Sequence, residues 1–291
     1  MKIGLIDVDG HNFPNLALMK IANYHKKQGD TVEWVNFLER YDRVYMSKVF
    51  TFSPDIYTCI QSDKIIKGGT GYDFKIKLPT HIDEISPDYS IYPKFKDAYG
   101  FLTRGCIRNC PWCIVHKKEG DIRFYDSIDN ILQDRKSAVL MDNNVLACDW
   151  GIKQINRIIE LGCKVDFNQG LDVKLITEDI AIMLSKVKWL RYIRIACDTK
   201  SAIPDVKNAV ENLLKHGIKP YRVFCYVLVK DIEDALYRIK YLRNLGVMPF
   251  AQPYRDFTNT PPAQNIKDLA RWCNHRAIFK SCDFKDYRPR K

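Results

Sequence analysis

The chain has 291 residues, and its composition of 46% hydrophobic and 28% charged residues is typical of a folded globular protein and excludes a wholly disordered one. No stretch approaches the roughly 20 consecutive apolar residues of a membrane span, and the N-terminal letters MKIGLIDVDG have a strand pattern without the shape of a signal peptide, so we expect no membrane partner and a cytoplasmic location. Residues 1–98 hold 13 Lys/Arg and 13 Asp/Glu, so the net charge of +11 comes entirely from later residues; this excess favours nucleic acid or another polyanion as a partner, with a solvated basic surface as the alternative.

Residues 1–77 alternate strand and helix patterns. The predicted elements are a strand over residues 2–8, a helix capped by Asn15, and strands over residues 31–37 and 43–50. Strand–helix–strand alternation predicts a small parallel sheet of Rossmann-like or flavodoxin-like type. Residues 78–98 contain three prolines and few periodic apolar residues, and we expect them to form a linker.

Residues 99–256 repeat a strand–helix unit six times without any repeat of the letters. The predicted strands cover residues 99–103, 138–141, 164–167, 192–197, 222–229 and 247–251. Six successive units of this kind predict parallel strands with right-handed crossovers. A partial (β/α)6 barrel, open on one side, is the expected closure, and a flat doubly wound sheet is the alternative. Residues 257–291 are expected to form a basic helical tail, with a helix over residues 265–279.

Three cysteines lie close together directly after the first of these six strands. Cys106, Cys110 and Cys113 have the spacing Cys-x3-Cys-x2-Cys, whereas the other cysteines are scattered along the chain. Three thiolates on one short loop can each bind one iron of a [4Fe–4S] cluster, which leaves the fourth iron open for a substrate or cofactor. The alternatives are a structural zinc site, for which His116 or Cys148 would have to supply the fourth ligand, and three unconnected thiols.

The cysteine spacing, the aromatic Trp112 before the last cysteine, and the position after the first strand of a βα series resemble the radical S-adenosylmethionine (SAM) superfamily. The resemblance covers residues 99 to about 255. It implies that the open iron binds the amino and carboxylate groups of SAM, and that an external electron donor of flavodoxin or ferredoxin type reduces the cluster. It also implies cleavage of SAM to methionine and a 5′-deoxyadenosyl radical, which abstracts hydrogen from a substrate.

Residues 1–77 are similar to the cobalamin-binding domain that precedes the barrel in one branch of that superfamily. Such domains carry Asp-x-His-x-x-Gly, whose histidine binds cobalt. Here the first loop is Asp7-Val8-Asp9-Gly10-His11, so the histidine is displaced and the trailing glycine is missing. We therefore expect a degenerate relative that does not bind cobalamin, with His11 as an ordinary loop residue.

The resemblance also implies cofactor contacts at the ends of the strands, where ligands of α/β barrels gather. Trp112 is expected to pack near the adenine of SAM. Many members bind the SAM amino group through Gly-Gly-Glu after the second strand; Asp142 or Asn143 is expected to take that role in this chain, with a capped turn as the alternative. Asn168 and Gln169 follow the third strand and are candidates for contact with SAM or substrate, because polar groups after a buried strand need partners.

Further candidates follow the later strands. Arg194 and Asp198 share one face of the fourth strand by its period of two, and the resemblance implies that they meet the SAM carboxylate and the ribose hydroxyls respectively. An internal Arg–Asp pair is the alternative. Gln252, Tyr254 and Arg255 follow the sixth strand and are candidates for substrate contact.

Two single cysteines, Cys148 and Cys197, are expected near the mouth of the barrel. Either could donate hydrogen to a product radical or carry a covalent adduct, although single cysteines commonly serve as small apolar residues. The predicted function is radical SAM chemistry on an unidentified substrate, with RNA or another polyanion as a candidate. The alternatives are a methyl or methylthio transferase of the same superfamily, and a non-catalytic Fe–S or zinc module that binds nucleic acid.

Overall fold

The computed structural model describes residues 1–256 and 260–289. The chain folds as a mixed α/β protein with parallel sheets, and it divides into two compact units, Met1–Tyr99 and Gly100–Lys291. Within the described ranges, every helix is too short or too polar to cross a lipid bilayer.

The first unit is built on a four-stranded parallel sheet. Its elements are β1 (Lys2–Asp7), α1 (Leu16–Lys27), β2 (Thr31–Trp34), β3 (Arg43–Ser47), β4 (Ile65–Gly68) and α2 (Thr80–Asp83), with the strand order β2-β1-β3-β4. Helix α1 begins after Asn15, whose side-chain oxygen accepts a hydrogen bond from the Leu18 N–H (3.2 Å) and satisfies a free donor of the first turn. The helix packs Leu18 and Ile21 against Ile3 and Leu5 of β1, and these side chains form the core of the unit.

The expected linker, residues 78–98, is instead an integral part of the first unit. Ile82 is buried in the same core. Tyr92 is also buried, and its hydroxyl donates a hydrogen bond to the carboxylate of Asp7 (2.6 Å). Burial raises the pKa of Asp7. The prolines break the segment into short turns, but its apolar side chains still gain free energy by leaving water, so the segment packs against the sheet.

The chain enters the second unit within β5 (Ala98–Gly100). The further strands are β6 (Thr103–Arg104), β7 (Arg123–Phe124), β8 (Ser137–Leu140), β9 (Lys164–Phe167), β10 (Lys188–Trp189), β11 (Ile193–Ala196), β12 (Val223–Val229) and β13 (Met248–Pro253). The helices are α3 (Val115–Glu119), α4 (Ile128–Leu132), α5 (Asp149–Leu161), α6 (Glu178–Lys186), α7 (Ile203–Lys215), α8 (Ile232–Asn244), α9 (Gln264–Asn274) and α10 (Arg276–Ser281).

Two parallel sheets position the loops of the second unit. One contains β10-β9-β8, with Gly100 beside β8 through a hydrogen bond from the Met141 N–H (2.9 Å), and the other is β11-β12-β13. A parallel bridge between Leu171 and Ile195 connects the loop after β9 to β11. The short strands β6 and β7 pair antiparallel.

Two predicted elements differ in the structure. The strand expected over residues 99–103 is divided into β5 and β6, because the buried carboxylate of Asp142 accepts the N–H groups of Leu102 (3.2 Å) and Thr103 (2.6 Å) and interrupts the ladder. The helix expected over residues 265–279 is divided at His275, whose backbone is extended (φ −90°, ψ 97°), so that α9 ends and α10 begins there.

The sheet β11-β12-β13 has two different faces. Alternate residues, such as Ile195 of β11 and Val227 of β12, are completely buried. The residues between them, such as Arg194, Tyr226 and Phe250, are only partly buried. The sheet therefore has one core face and one half-open face, as the period of two requires.

Helix α9 packs against the edge strand of that sheet. The Asn274 side chain pairs with the backbone of Ala251 in β13, accepting its N–H (2.8 Å) through Oδ1 and donating to its C=O (2.9 Å) through Nδ2. Trp272 and Cys273 of the same helix are buried. The described part of the expected basic tail, residues 260–289, is thus packed onto the second unit; residues 257–259 and 290–291 lie outside the described part of the chain.

Candidate functional site

The cysteine loop, residues 105–113, follows β6 and closes on itself. Gly105 has φ of +86°, and a Cβ there would lie 2.1 Å from the carbonyl oxygen of Asp121, so only glycine fits. The N–H of Cys106 donates to the carbonyl of Gly120 (3.2 Å), which fixes the start of the loop beside the end of α3. The N–H of Cys113 donates to the carbonyl of Cys110 (2.9 Å), which forms a turn near its end.

The three thiols of this loop lie within electrostatic reach of one another. Burial raises the pKa of the Cys110 thiol, and the charges of Cys113 and Cys106 raise it further. Backbone donors also point at the sulfurs: the Arg108 N–H donates to Cys106 Sγ (3.3 Å), and the Val115 N–H to Cys113 Sγ (3.5 Å). Hydrogen bonds of this kind stabilise a thiolate and tune a bound cluster.

The donor set suits an iron–sulfur cluster. Across residues 1–256 and 260–289, no three His, Cys, Asp or Glu side chains converge in the manner of a single-ion metal site. A [4Fe–4S] cluster requires a different arrangement, because each thiolate binds its own iron. Cys106, Cys110 and Cys113 are free thiols, half-buried or exposed, on one loop, and they are the residues that could hold such a cluster.

A buried carboxylate that the sequence analysis did not single out, Glu119, anchors the cysteine loop. The side chain of Glu119 at the end of α3 is only 9% exposed. It accepts hydrogen bonds from Arg104 Nη2 (2.7 Å), the Gly105 N–H (3.0 Å) and Asn143 Nδ2 (2.9 Å). The loop is therefore tied at its first residue to the end of β8. The only sequence feature that marks Glu119 is its position as a single acidic residue directly after the basic residues 116–118.

A second carboxylate, Asp172, fixes the middle of the loop. Its Oδ2 accepts hydrogen bonds from Arg108 Nε (2.8 Å) and Asn144 Nδ2 (3.0 Å). Asp172 lies in the loop after β9, so it connects the cysteine loop to a third strand end. Arg104 and Arg108, the two arginines on either side of Cys106, are each paired with a carboxylate.

The expected role of Asp142 in binding SAM is not the one that the structure gives it. Asp142 is 1% exposed, and its carboxylate accepts hydrogen bonds from the N–H of Leu102 and from both the N–H and the hydroxyl of Thr103 (2.6 and 2.7 Å). Burial raises its pKa to about 6. Asp142 is thus a positioning residue that sets the path of the chain into the cysteine loop.

The buried amide beside the cysteine loop is Asn144 rather than Asn143. Asn144 is 2% exposed, and its Nδ2 donates to Cys106 Sγ (3.5 Å) as well as to Asp172. Its Oδ1 is buried and accepts no hydrogen bond from any residue that the structure describes. A buried acceptor without a donor is costly, and with no accessible surface this oxygen has no room for a ligand unless the Asn144 side chain turns. Asn143 is half-buried and donates to Glu119.

Arg194 pairs with Asp166 of the neighbouring strand β9 and not with Asp198. Its Nε and Nη2 donate to the two carboxylate oxygens of Asp166 (2.7 and 2.8 Å), and its Nη1 donates to the hydroxyl of Tyr226 (3.1 Å). This bidentate pair holds the guanidinium, so the expected contact with a SAM carboxylate would have to compete with it. The sequence alternative, an internal pair between Arg194 and Asp198, is therefore not observed, because Asp166 takes the guanidinium.

Asp198 and Trp112 meet at the edge of the cysteine loop. Asp198 accepts hydrogen bonds from the Leu228 N–H (3.2 Å) and from Trp112, while burial raises its pKa. The ammonium of Lys230 lies 5.0 Å from the centre of the Trp112 ring and 4.3 Å from that of Tyr254. Residues that follow β11, β12 and β13 are therefore gathered on this side of the loop.

Asn168 and Gln169 pair with each other after β9. Gln169 Nε2 donates to Asn168 Oδ1 (3.1 Å), and the carbonyl of Asn168 accepts the hydroxyl of Tyr226 (2.8 Å). Gln169 is exposed and Asn168 is half-buried. Both side chains remain at the surface of the unit, where a ligand can reach them.

The two single cysteines have different environments. Cys197 has no exposed surface, and burial raises the pKa of its thiol to about 11. A substrate radical cannot reach a fully buried thiol, so of the two roles considered for Cys197 the burial favours that of a small apolar residue. Cys148 is half-buried at the start of α5 and stays accessible.

The histidine in the first loop of the other unit is held by aromatic rings. The ring of His11 lies 4.1 Å from the ring of Trp34 and 5.7 Å from that of Tyr92, measured between centroids. His11 is exposed, so its ring touches these neighbours at the surface of the unit.

The loops after β8, β9, β11 and β12 all contact the cysteine loop, through Asn144, Asp172, Asp198 and Lys230 respectively. Comparisons with known proteins do not place this arrangement in a family. No family model matches the chain, and no curated protein matches it.

Proposed function

We propose that the chain is a radical SAM enzyme that holds one [4Fe–4S] cluster through Cys106, Cys110 and Cys113, and that its units are a small Rossmann-like domain and a partial (β/α)6 barrel. One observation carries the proposal: the loops that leave four parallel strands, β8, β9, β11 and β12, meet the cysteine loop. The carboxyl ends of parallel strands are where α/β folds bind ligands. A cysteine-rich loop ringed by these ends suits a cluster with a cofactor beside it.

The residues around the loop have roles that follow from their contacts. When bound, the cluster and SAM would supply a 5′-deoxyadenosyl radical, using an electron from a flavodoxin-type or ferredoxin-type donor. Asn144 is an amide beside Cys106, and its unused Oδ1 could accept the SAM amino group once the side chain turns out of its buried position. Asp198 retains lone pairs at the edge of the loop for ribose hydroxyls, and Trp112 is held by Asp198 in position to cover an adenine.

The methyl-transfer and methylthio-transfer alternatives receive less support. A methyl transferase would need cobalamin or a reachable thiol outside the cluster, for which only Cys148 of the two candidates is accessible, and a methylthio transferase would need a second cysteine cluster, which the sequence does not contain. The basic residues of the second unit are equally compatible with a non-catalytic nucleic-acid module. Turnover of SAM separates such a module from an enzyme.

The test is anaerobic reconstitution with iron and sulfide, followed by dithionite and SAM, with chromatographic measurement of 5′-deoxyadenosine. We expect about four irons per chain and 5′-deoxyadenosine from the wild type. Cys110→Ala should lose both, whereas the matched control Cys59→Ala, which removes an exposed thiol elsewhere, should keep both. Zinc without a cluster in the wild type, or equal product from Cys110→Ala, would overturn the proposal.

A further inference from the structure

The half-open face of the sheet β11-β12-β13 carries a group of aromatic rings. We call it the aromatic face, defined by Tyr192, Arg194, Phe224, Tyr226 and Phe250. Phe224 is buried at 9% exposure, and the other four are only partly buried. The alternate residues of the same strands fill the core on the opposite side. Each of the partly buried rings keeps some surface that a ligand can reach, although none is among the exposed apolar residues of the described chain.

The rings of the aromatic face form a continuous platform. Tyr192 stacks on Phe224 with centroids 5.4 Å apart at 25°, and Phe224 lies 5.2 Å from Phe250 at 34°. Tyr226 meets Phe250 edge-on at 6.0 Å. Because three hydrogen-bonded strands hold these side chains, the rings keep their relative positions and would lose little freedom on binding a flat ligand.

One exposed cation accompanies the rings. The guanidinium of Arg194 lies 5.1 Å from the centre of the Phe224 ring, but its charge is neutralised by the bidentate pair with Asp166. The exposed Lys230 follows β12 at the carboxyl end of the same face. The chain's whole net charge of +11 comes from residues after Tyr99, since residues 1–98 are neutral in sum. Aromatic rings with flanking cations form the chemistry that binds single-stranded nucleic acid, by stacking on bases and attracting phosphates.

We infer that the aromatic face binds unpaired bases of a single-stranded nucleic acid, and that such a strand is the substrate of the chemistry proposed above. The second clause rests on the proposed function; the binding itself does not. Polar groups that can meet base edges lie along the strand ends beside this face, namely the amides of Asn168, Gln169 and Gln252. A duplex hides its bases from such a platform, so the face is specific for unpaired strands.

The experiment is fluorescence anisotropy with fluorescein-labelled oligoadenylate of about 15 nucleotides, as RNA and as DNA, and with a duplex of the same length. Neither SAM nor reductant is present. Phe250→Leu and Tyr192→Leu should each weaken single-strand binding about tenfold, because one stacking ring is lost, while Phe250→Tyr should keep it. The matched control is Tyr237→Leu, which removes an exposed ring from α8 and should leave binding unchanged.

Charge and stacking are separated by salt. Lys230→Gln should lower the slope of log Kd against log salt by about one, whereas Phe250→Leu should leave the slope unchanged. The inference is overturned if both leucine variants, shown to be folded by circular dichroism, bind like the wild type, or if the duplex binds as tightly as the single strand. Loss of 5′-deoxyadenosine formation with intact, ring-dependent binding would refute the proposed function alone; the reverse result would refute the binding face alone.

Discussion

Replacing Glu119 by alanine should loosen the cysteine loop before any iron is bound. The variant removes three hydrogen bonds at once, from Arg104, the Gly105 N–H and Asn143. The guanidinium of Arg104 is 20% exposed and would be left without its partner, while the N–H of Gly105 would be left without an acceptor in a buried position.

The expected loss of stability follows from those contacts. Breaking a buried ion pair by removing one partner destabilises a protein by about 3–5 kcal/mol, and partial exposure of Arg104 reduces that figure. The unsatisfied N–H adds about 1 kcal/mol. We therefore expect the free energy of unfolding to fall by about 3 kcal/mol. Glu119→Gln keeps one acceptor oxygen and should lose less.

The assay has two readouts on the same preparations. Urea unfolding of the iron-free protein, followed by circular dichroism, measures the stability change, and iron per chain after anaerobic reconstitution measures how well the loop binds a cluster. Glu160→Ala is the matched control, because it removes a carboxylate that is 65% exposed and pairs with a surface arginine. Its effect on both readouts should not be measurable. Equal behaviour of the Glu119 and Glu160 variants would refute the anchoring role of Glu119.

Three further predictions concern buried groups. Burial raises the pKa of Asp142 to about 6, against 3.8 for an ordinary Asp, so the folded chain binds the carboxyl proton of Asp142 more tightly than the unfolded chain does. The contribution of Asp142 to the free energy of unfolding should therefore decrease by about 3 kcal/mol as the pH rises from about 4 to 6, and it should stay constant at higher pH. Urea unfolding across that range should show this slope in the difference between the wild type and Asp142→Asn, and a constant difference would contradict it. Arg238 is 1% exposed and donates to the carbonyls of Cys197 (2.7 Å) and Leu228 (3.0 Å). Arg238→Met should therefore reduce the free energy of unfolding by about 3 kcal/mol. The control is Lys240→Met, which replaces an exposed side chain on the same helix and should not have this effect. Cys197→Ala should lose about 1 kcal/mol of stability but keep 5′-deoxyadenosine formation per bound cluster, and loss of that activity would restore a catalytic role for the thiol.

Much of the α/β architecture is predictable because it depends on local patterns. The period-two runs and the glycine-bounded helices predict the strands of the second unit to within a few residues, and residues 164–167 form β9 as expected. The parallel pairing follows from the order of the elements. The polar residue Asn15 also caps α1 as its position indicates.

The partners of side chains across strands are less predictable, because they depend on which strands are neighbours. The period of two places Arg194 and Asp198 on one face, but the bridge between Leu171 and Ile195 brings β9 beside β11, and the nearer Asp166 takes the guanidinium. The sequence around Glu119 contains no pattern that predicts its buried hydrogen bonds to the cysteine loop.

The linker expectation fails for a related reason. Prolines indicate where regular elements end, but they carry no information on whether the turns between them are buried. Residues 78–98 pack because Ile82 and Tyr92 reach the core and the end of β1, and these contacts become visible only once the sheet is known.

The pairing of Asn274 with Ala251 has a consequence for the outer edge of the sheet β11-β12-β13. The amide side chain satisfies both backbone groups of Ala251 in the outermost strand, much as a neighbouring strand would. An uncovered strand of that kind is a template for a second molecule. Removing the last two helices to shorten the chain would expose β13, against which Asn274 and Cys273 lie, so a truncated protein should self-associate through this strand.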